Sequence, residues 1–235
     1  MADGKIPFIL VPGLLCTQAL WQAQVDGLRD AADISVTAEH TRHTDIGAIA
    51  GAILATAPER FALAGLSFGG YIAFEIMRRA PHRVDRLAVL DTTARDDDDD
   101  RRKLRRDFIQ QAQIGRFIGM SDRLVRQFIH PDRLGDETLV TAVKQMALDV
   151  GRDGFVRQQT AIIGRPDSRR SLADIACPTL VLVGRQDALT PLAGHEEIQA
   201  AIPHAQLEVI EDCGHLSTME RLEAVNQAMR DWLCR

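Results

Sequence analysis

One serine of this chain lies between two glycines at a predicted junction from a strand to a helix. The pentapeptide Gly65–Gly69 (GLSFG) follows the apolar run Phe61–Ala64 and precedes apolar residues that recur at helical spacing. Flanking glycines relieve the collisions that a Cβ would cause in so sharp a turn. We therefore predict that the Ser67 hydroxyl points outward as a nucleophile. The pentapeptide alone leaves open a solvated serine in an ordinary glycine-rich turn.

A nucleophilic serine needs a histidine base and a carboxylate that orients the histidine. Two further predicted strands, Thr179–Val183 and Leu207–Ile210, lead into segments that contain Asp187 and His215. The carboxyl ends of parallel strands meet at one edge of a sheet, where open α/β sheets assemble their sites. We therefore predict that Ser67, Asp187 and His215 meet there as a catalytic triad.

Acyl transfer also needs N–H donors for the negative charge that develops on the carbonyl oxygen of the substrate. One donor is expected from the backbone of Phe68, directly after the serine, at the start of a helix. The second is expected from Leu14, in the loop after the first strand, where Gly13 allows a close approach of the chain.

The elements that must position these residues alternate between strand and helix, which predicts a mainly parallel sheet with helices on both sides. The predicted strands are Ile6–Val11, Ile34–Thr37, Phe61–Ala64, Leu87–Leu90, Thr179–Val183 and Leu207–Ile210. The predicted helices are Ala19–Ala31, Asp45–Ala55, Gly70–Arg79, Leu192–Ala201 and Glu220–Leu233.

The alternation stops at Asp91 and resumes at Cys177, and the interval contains no convincing strand. Its apolar residues recur at helical spacing, with Ser121 and Asp136 as candidate helix caps. We expect about four short helices. The division that follows is a core of residues 1–93 and 176–235 and a helical insertion, here called the cap, of residues 94–175.

Apolar side chains of the cap are candidates to line a substrate pocket, although each is also suited to packing the cap onto the core. These candidates are Phe117, Met120, Phe128, Met146, Phe155 and Ile162.

Four segments together carry a resemblance to a known family: Pro12–Leu15, Gly65–Gly69, Cys177–Asp187 and Asp212–His215. In these segments the chain resembles the α/β-hydrolase superfamily, in particular small capped esterases and lactonases similar to 3-oxoadipate enol-lactonases, cofactor-free haloperoxidases and pimeloyl carrier-protein methyl esterases. Two departures stand out. Pro12 precedes Gly13 where many relatives have histidine, and the residues before Ile6 are too few for the antiparallel strand pair of the full fold, so we expect about six strands.

This resemblance implies a serine hydrolase, carboxylesterase-like, that acts without metal or organic cofactor on a small or medium ester, thioester or lactone. Carbon–carbon bond hydrolases, lyases and perhydrolases use the same triad, because the pocket decides the chemistry. A ligand-binding protein built on the same fold is a third interpretation. The sequence does not predict the oligomeric state, monomer or homodimer.

Other residues compete for roles in the site. Asp91 follows the strand Leu87–Leu90 and could replace or assist Asp187, although the loop before Asp187 matches the usual acid loop. Asp212 is expected to stabilise its own loop, and Cys213 to be a buried spectator. His130 lies beside Pro131 in the cap, where it is either a substrate contact or, as we favour, a helix-end residue. The remaining histidines are expected at the surface: His40, His43, His82, His195 and His204.

A run of five aspartates, Asp96–Asp100, precedes a group of arginines in the cap. Acid before base suits a helix dipole, so we expect an exposed helix start and no metal site. Arg165, Asp167 and Arg169 are expected to form ion pairs where the cap returns to the core.

Composition excludes several classes of protein. The 235 residues are 46% hydrophobic and 26% charged with a net charge of −5, which gives no basic patch for nucleic acid. No apolar run approaches the roughly 18 residues that span a bilayer, and the N-terminus does not read as a signal peptide. Four cysteines without C-x-x-C pairs suggest reduced thiols. We therefore expect a cytoplasmic enzyme with a small-molecule substrate and no membrane or nucleic-acid partner.

Overall fold

The apolar runs form one sheet. The computed structural model describes residues 5–235, and six strands lie in the order β2-β1-β3-β4-β5-β6, with every neighbouring pair parallel. β3 and β5 are buried at every position, which explains why they read as continuous apolar runs. The predicted parallel sheet is confirmed. Its strands are β1 (Ile6–Val11), β2 (Ala32–Val36), β3 (Phe61–Leu66), β4 (Val84–Leu90), β5 (Thr179–Gly184) and β6 (Gln206–Ile210).

Helices cover both faces of this sheet. Because alternate residues of a strand face opposite sides, Phe8 and Leu10 of β1 join one apolar cluster while Ile9 and Val11 join the other. α1 and α9 pack on the first face, and α2, α3 and α7 on the second. The core helices are α1 (Gln22–Leu28), α2 (Ile46–Thr56), α3 (Phe68–Arg79), α7 (Leu192–Ala201), α8 (Ser217–Glu220) and α9 (Leu222–Leu233).

Two predicted helices are divided in the structure. The first begins as a 3-10 turn at Gln18–Trp21 before α1. The last is interrupted at Arg221, whose φ of −135° is not helical, and this break separates the short α8 from α9. Within residues 5–235, no helix combines the length and the apolar character needed to cross a membrane.

The segment between β4 and β5 is helical, as predicted. It contains α4 (Asp99–Ile114), α5 (Asp122–Phe128) and α6 (Glu137–Ile163), and α6 is broken in its middle by Gly151 at φ +69°. The side chains of Ser121 and Asp136 accept hydrogen bonds from the backbone at the starts of α5 and α6. Counting both halves of α6, the cap has four α-helical pieces, close to the expected number, together with two 3-10 turns at Pro131–Arg133 and Arg169–Asp174.

The aspartate run is only partly the expected exposed helix start. Asp98 caps α4 by accepting from the Arg101 N–H at 2.8 Å. The Asp97 side chain, in contrast, is 1% exposed and pairs with Arg105 and with Arg165, the latter at 2.9 Å. Burial of an unpaired carboxylate is unfavourable, but the two guanidinium groups offset the cost of removing this one from water. The prediction that the whole run is solvated was therefore wrong for Asp97.

Surface placement was also wrong for two histidines. His40 and His195 are 2% and 0% exposed, because each ring satisfies a buried backbone group. The Nε2 atom of His40 lies 2.9 Å from the carbonyl oxygen of Cys16. His82 and His204 are exposed and His43 is half-buried. His130 lies at a helix end as expected, where its Nδ1 accepts from the backbone N–H of Asp132.

Candidate active site

The nucleophile candidate occupies a strained turn between β3 and α3. Ser67 has φ 56° and ψ −113°, a conformation that a residue with a Cβ rarely adopts. At two positions of this turn the chain is packed too tightly for any residue except glycine. A Cβ on Gly65 would lie 2.2 Å from the carbonyl oxygen of Gly69, and a Cβ on Gly69 would lie 2.1 Å from the carbonyl oxygen of Val11. These contacts fix the direction of the serine side chain.

The three predicted catalytic side chains form one continuous line of hydrogen bonds. The Oγ atom of Ser67 lies 2.9 Å from Nε2 of His215, and Nδ1 of His215 lies 2.8 Å from Oδ2 of Asp187. Asp187 and His215 are buried, whereas Ser67 is partly exposed. These partners assign the ring proton to Nδ1, which leaves Nε2 free to accept the serine proton.

Asp187 is held as an ionised carboxylate. Its Oδ1 accepts from the backbone N–H groups of Leu189 and Thr190, and its Oδ2 accepts from the Thr190 hydroxyl at 2.6 Å as well as from His215. Burial raises the pKa of Asp187, but the His215 charge and these hydrogen bonds lower it more, so the pKa lies below its ordinary value. For His215, burial lowers the pKa, and the Asp187 charge raises it above its ordinary value.

The rival carboxylate, Asp91, lies nearby but makes different hydrogen bonds. Its Oδ1 accepts from the Gly184 N–H at 2.9 Å, and its Oδ2 accepts from the backbone and the hydroxyl of Ser217. Burial and the neighbouring Asp187 charge raise the pKa of Asp91 to about 8. Asp91 therefore joins the segments that carry the acid and the histidine, while Asp187 contacts the His215 ring.

Thr92, which follows β4 and which the sequence did not single out, links the Ser67 turn to His195 of α7. The Thr92 hydroxyl donates to the Ser67 carbonyl oxygen at 2.8 Å, and the Thr92 N–H donates to Nε2 of His195 at 2.8 Å. Burial lowers the pKa of His195 to about 4, so the ring is a neutral acceptor. No local sequence signal marks this contact, because the two residues lie far apart in the chain.

The two expected oxyanion donors are positioned consistently with that role. Phe68 is the first residue of α3, and its N–H has no partner within the helix. Gly13 lies against Ser67, since a Cβ there would be 3.5 Å from the serine Cβ. Among the described residues, the N–H of Leu14 has no hydrogen-bond acceptor, whereas the next N–H, of Leu15, donates to Oε1 of Gln158 in the cap. The assignment of Leu14 and Phe68 as donors stays a prediction.

The structure brings together five of the six pocket candidates. Met120, Phe128, Met146 and Phe155 belong to one buried apolar cluster, and the half-buried Phe117 and Leu14 pack against it. The Phe128 ring meets the His215 ring edge-on at 5.4 Å, and the Phe117 and Phe155 rings lie 5.7 Å apart.

Ile162 is separate, because it packs in the cluster on the other face of the sheet. Phe117 also lines a surface cleft of about 410 Å³ beside Gly151, so it lies where the first cluster meets solvent.

Cys213 precedes the histidine turn but is a poor nucleophile. Its thiol is fully buried, and burial raises the pKa of Cys213 well above its ordinary range, which keeps the sulfur protonated. Within residues 5–235, no three His, Cys, Asp or Glu side chains are arranged to hold a metal ion.

Comparisons with known proteins agree with the fold. The chain is 24% identical to a pimeloyl-[acyl-carrier protein] methyl ester esterase of Vibrio parahaemolyticus, over 95% of this chain and 92% of that protein. It is 25% identical to a biotin biosynthesis bifunctional protein of Cellvibrio japonicus, over 95% of this chain but 47% of that protein, so it spans about half of that relative.

A solved thermophilic esterase from Thermogutta terrifontis, with malate bound, superimposes with a TM-score of 0.87 at 30% identity, over 98% of this chain and 90% of that one. The family model described as alpha/beta hydrolase fold matches residues 44–222. With its six-stranded parallel sheet, strained serine turn and helical insertion, the chain belongs to the α/β-hydrolase fold family.

Proposed function

We propose that the chain is a serine hydrolase that cleaves a small or medium carboxylic ester, thioester or lactone through an acyl-enzyme on Ser67. The observation that carries the proposal is the continuous hydrogen-bonded line from Ser67 through His215 to Asp187, with the serine partly exposed and the other two buried. Such a line has a nucleophile, a base and an orienting carboxylate in the required order.

The first half of the reaction forms the acyl-enzyme. His215 Nε2 takes the hydroxyl proton as Ser67 Oγ attacks the substrate carbonyl carbon, and the resulting oxyanion accepts from the N–H groups of Leu14 and Phe68. His215 then gives its proton to the leaving oxygen or sulfur as that bond breaks. Asp187 stabilises the imidazolium that exists between these two transfers.

The second half releases the acid. Water replaces the leaving group, loses a proton to His215 Nε2 and attacks the acyl carbonyl carbon. Collapse of this second tetrahedral intermediate returns the proton to Ser67 Oγ and frees the carboxylic acid. Every proton is carried by His215, so the chemistry requires neither metal nor organic cofactor.

The substrate is expected to have an apolar portion. On the cap side, the Phe128 ring is in edge contact with the His215 ring, and Met120, Met146 and Phe155 belong to the same apolar cluster as Phe128. Apolar side chains beside the catalytic residues favour a substrate with a hydrocarbon group that they can bury. They provide no charge that could pair with a charged group on the substrate. The resemblance to an esterase at 30% identity favours an oxygen ester as the first substrate to test.

The test uses p-nitrophenyl esters of graded acyl length and a fluorophosphonate probe. We expect ester turnover in the wild-type protein, and loss of both turnover and labelling in Ser67→Ala with an unchanged thermal melt. Ser35→Ala, at an exposed position of β2, is the matched control and is expected to behave as wild type.

Labelling of a different serine would contradict the assignment. A reactive Ser67 without turnover of any ester would favour carbon–carbon bond hydrolysis, lyase or perhydrolase chemistry. A ligand that raises the melting temperature equally in wild type and Ser67→Ala, without being consumed, would favour a binding protein.

A further inference from the structure

The four N–H groups of the His215 turn, residues 214–217, all donate to acceptors contributed by other elements. The N–H groups of His215 and Leu216 donate to the Phe128 carbonyl oxygen of the cap, at 3.0 and 3.2 Å. The Gly214 N–H donates to Oε1 of Glu220 at 3.1 Å, and Leu216 N lies 3.3 Å from the same oxygen. The Ser217 N–H donates to Asp91. Since buried N–H groups require partners, these acceptors determine where the turn lies.

Glu220 is the only side chain in this set that joins the turn to the cap. Its second carboxylate oxygen, Oε2, accepts from the His130 N–H of the cap at 2.7 Å. Glu220 is 3% exposed, and in the part of the chain that the structure describes no arginine or lysine pairs with its carboxylate. The guanidinium of Arg133 donates to the Glu220 backbone carbonyl instead.

An unpaired buried carboxylate is costly, so its retention here calls for a reason. The two carboxylate oxygens of Glu220 accept from three backbone N–H groups. A glutamine side chain could not replace the carboxylate here, because it has only one acceptor oxygen and its NH₂ group would face an N–H donor.

The cap and the histidine turn are in direct contact around this carboxylate. A Cβ on Gly214 would lie 2.6 Å from the backbone nitrogen of His130 and 2.8 Å from the carbonyl carbon of Ile129. The Phe128 ring meets the His215 ring from the same side. Residues 128–130 of the cap therefore pack against the turn as one unit, with the Glu220 carboxylate between them.

We propose that Glu220 is a positioning residue for His215: its carboxylate fixes the turn against the cap and places a negative charge that stabilises the imidazolium formed during proton transfer. The inference rests on the proposed function. It assigns no contact between Glu220 and the substrate.

The charges around His215 come from several elements. Three carboxylates face this ring: Asp187 after β5, Asp91 after β4 and Glu220 at the end of α8. Each of them, in its ionised form, raises the pKa of His215 against the opposing effect of burial. His195, from α7, is buried and neutral. Burial raises the pKa of Glu220 itself above its ordinary value. Because the Glu220 charge raises the pKa of His215, its removal should move the His215 titration to lower pH.

The experiment compares Glu220→Gln and Glu220→Asp with wild type. It measures ester kinetics and the His215 imidazole titration by NMR without substrate. Glu220→Gln is expected to lower kcat by about tenfold to a hundredfold with KM nearly unchanged, since small misplacements of catalytic groups have effects of this size. Its His215 should titrate at lower pH. Glu220→Asp keeps the charge but is too short to bridge the turn and the cap, so kcat should fall while the titration stays near that of wild type.

Glu75→Gln is the control. It removes a buried carboxylate of α3 that pairs with Arg78 and Arg79, and it should leave both readouts unchanged. Wild-type kcat and titration in folded Glu220→Gln, or wild-type kcat in Glu220→Asp if the first variant does not fold, would overturn the proposal.

The titration separates this inference from the proposed function. If the wild-type protein hydrolyses no ester, a lowered His215 titration in Glu220→Gln would still support the positioning role. If Ser67-dependent turnover is present and both Glu220 variants match wild type, the positioning role fails and the hydrolase proposal stands.

Discussion

The Nδ1 atom of His215 lies 2.8 Å from Oδ2 of Asp187. Asp91 is as deeply buried, but its oxygens accept from Gly184 and Ser217. Asp187→Asn should therefore lower kcat by about 10⁴, the effect of losing the correct tautomer in a serine triad. Asp91→Asn should have a much smaller effect.

Steady-state kinetics of both variants with one p-nitrophenyl ester provides the comparison. Retained activity in Asp187→Asn together with a large loss in Asp91→Asn would transfer the acid role to Asp91.

The raised pKa of His215 predicts the pH dependence of the reaction. Burial lowers this pKa and the Asp187 charge raises it more, so the net direction is upward. Because the neutral ring accepts the serine proton, kcat/KM should fall as pH decreases through the raised pKa. The midpoint of the acid limb should lie above about 6.5, the ordinary value for histidine. A profile of kcat/KM from pH 5 to 9 measures it, and a midpoint below the ordinary value would contradict this reading of the site.

Gln158 of the cap is expected to hold the loop that carries the Leu14 N–H. Its Oε1 accepts from Leu15 at 3.0 Å, and Leu15 itself has a strained φ of 59°. Gln158→Leu removes that acceptor, so the loop should move and kcat should fall by about tenfold, less than the 10² to 10³ of a deleted oxyanion donor.

Gln159→Leu is the matched control for this prediction. Gln159 is also buried, but its Oε1 accepts from Arg105, so its loss should lower stability and leave kcat near wild type. Equal kcat in the two variants would contradict the role of Gln158 in holding this loop. Urea unfolding of each variant separates the two effects.

The aspartate run supplies a stability test with its own control. Asp97 is buried between Arg105 and Arg165, and the Arg165 guanidinium also lies 4.2 Å above the Tyr71 ring. Asp97→Asn leaves two arginines without their shared carboxylate, so the free energy of unfolding should fall by about 3–5 kcal/mol. Asp100→Asn, at an exposed position of the same run, should change it by less than about 0.5 kcal/mol.

The Asp97 effect should also depend on pH in a defined direction. Burial raises the pKa of Asp97, but Arg165 and Arg105 lower it more, so the pKa is below its ordinary value. The stabilisation is then present above the ordinary pKa and is lost as pH falls through the lowered one. Urea titrations at neutral and acidic pH should show the gap between wild type and Asp97→Asn closing in acid. A gap that persists unchanged would assign the destabilisation to packing instead of charge.

The fold and the meeting of Ser67, Asp187 and His215 could be predicted because both depend on local sequence patterns. Continuous apolar runs predicted buried parallel strands, and a titratable residue after each of several strands predicted that Ser67, Asp187 and His215 would meet at one edge. The supporting residues carry no such pattern. Glu220 contacts His130, and Gln158 contacts Leu15, only after the cap folds onto the core.

The same limit explains the misplaced residues. A histidine or an aspartate in a polar stretch is exposed in most proteins, and a sequence gives no sign of the distant partner that makes burial favourable. His195 is buried because it accepts from Thr92, and Asp97 because it meets Arg165. Each of these pairs is separated by many residues and depends on how α7 or the cap packs.

The central claim is that Ser67 carries the acyl group, and mass spectrometry of a rapidly quenched reaction tests it most directly. Wild-type protein mixed with excess p-nitrophenyl acetate and quenched in acid should gain the mass of one acetyl group, located by peptide mapping in the peptide that contains Gly65–Gly69. Ser67→Ala should gain none, and His215→Ala, which keeps the serine but loses its base, should acylate far more slowly. An acetyl group on another residue during turnover, or turnover that persists in Ser67→Ala, would contradict the mechanism.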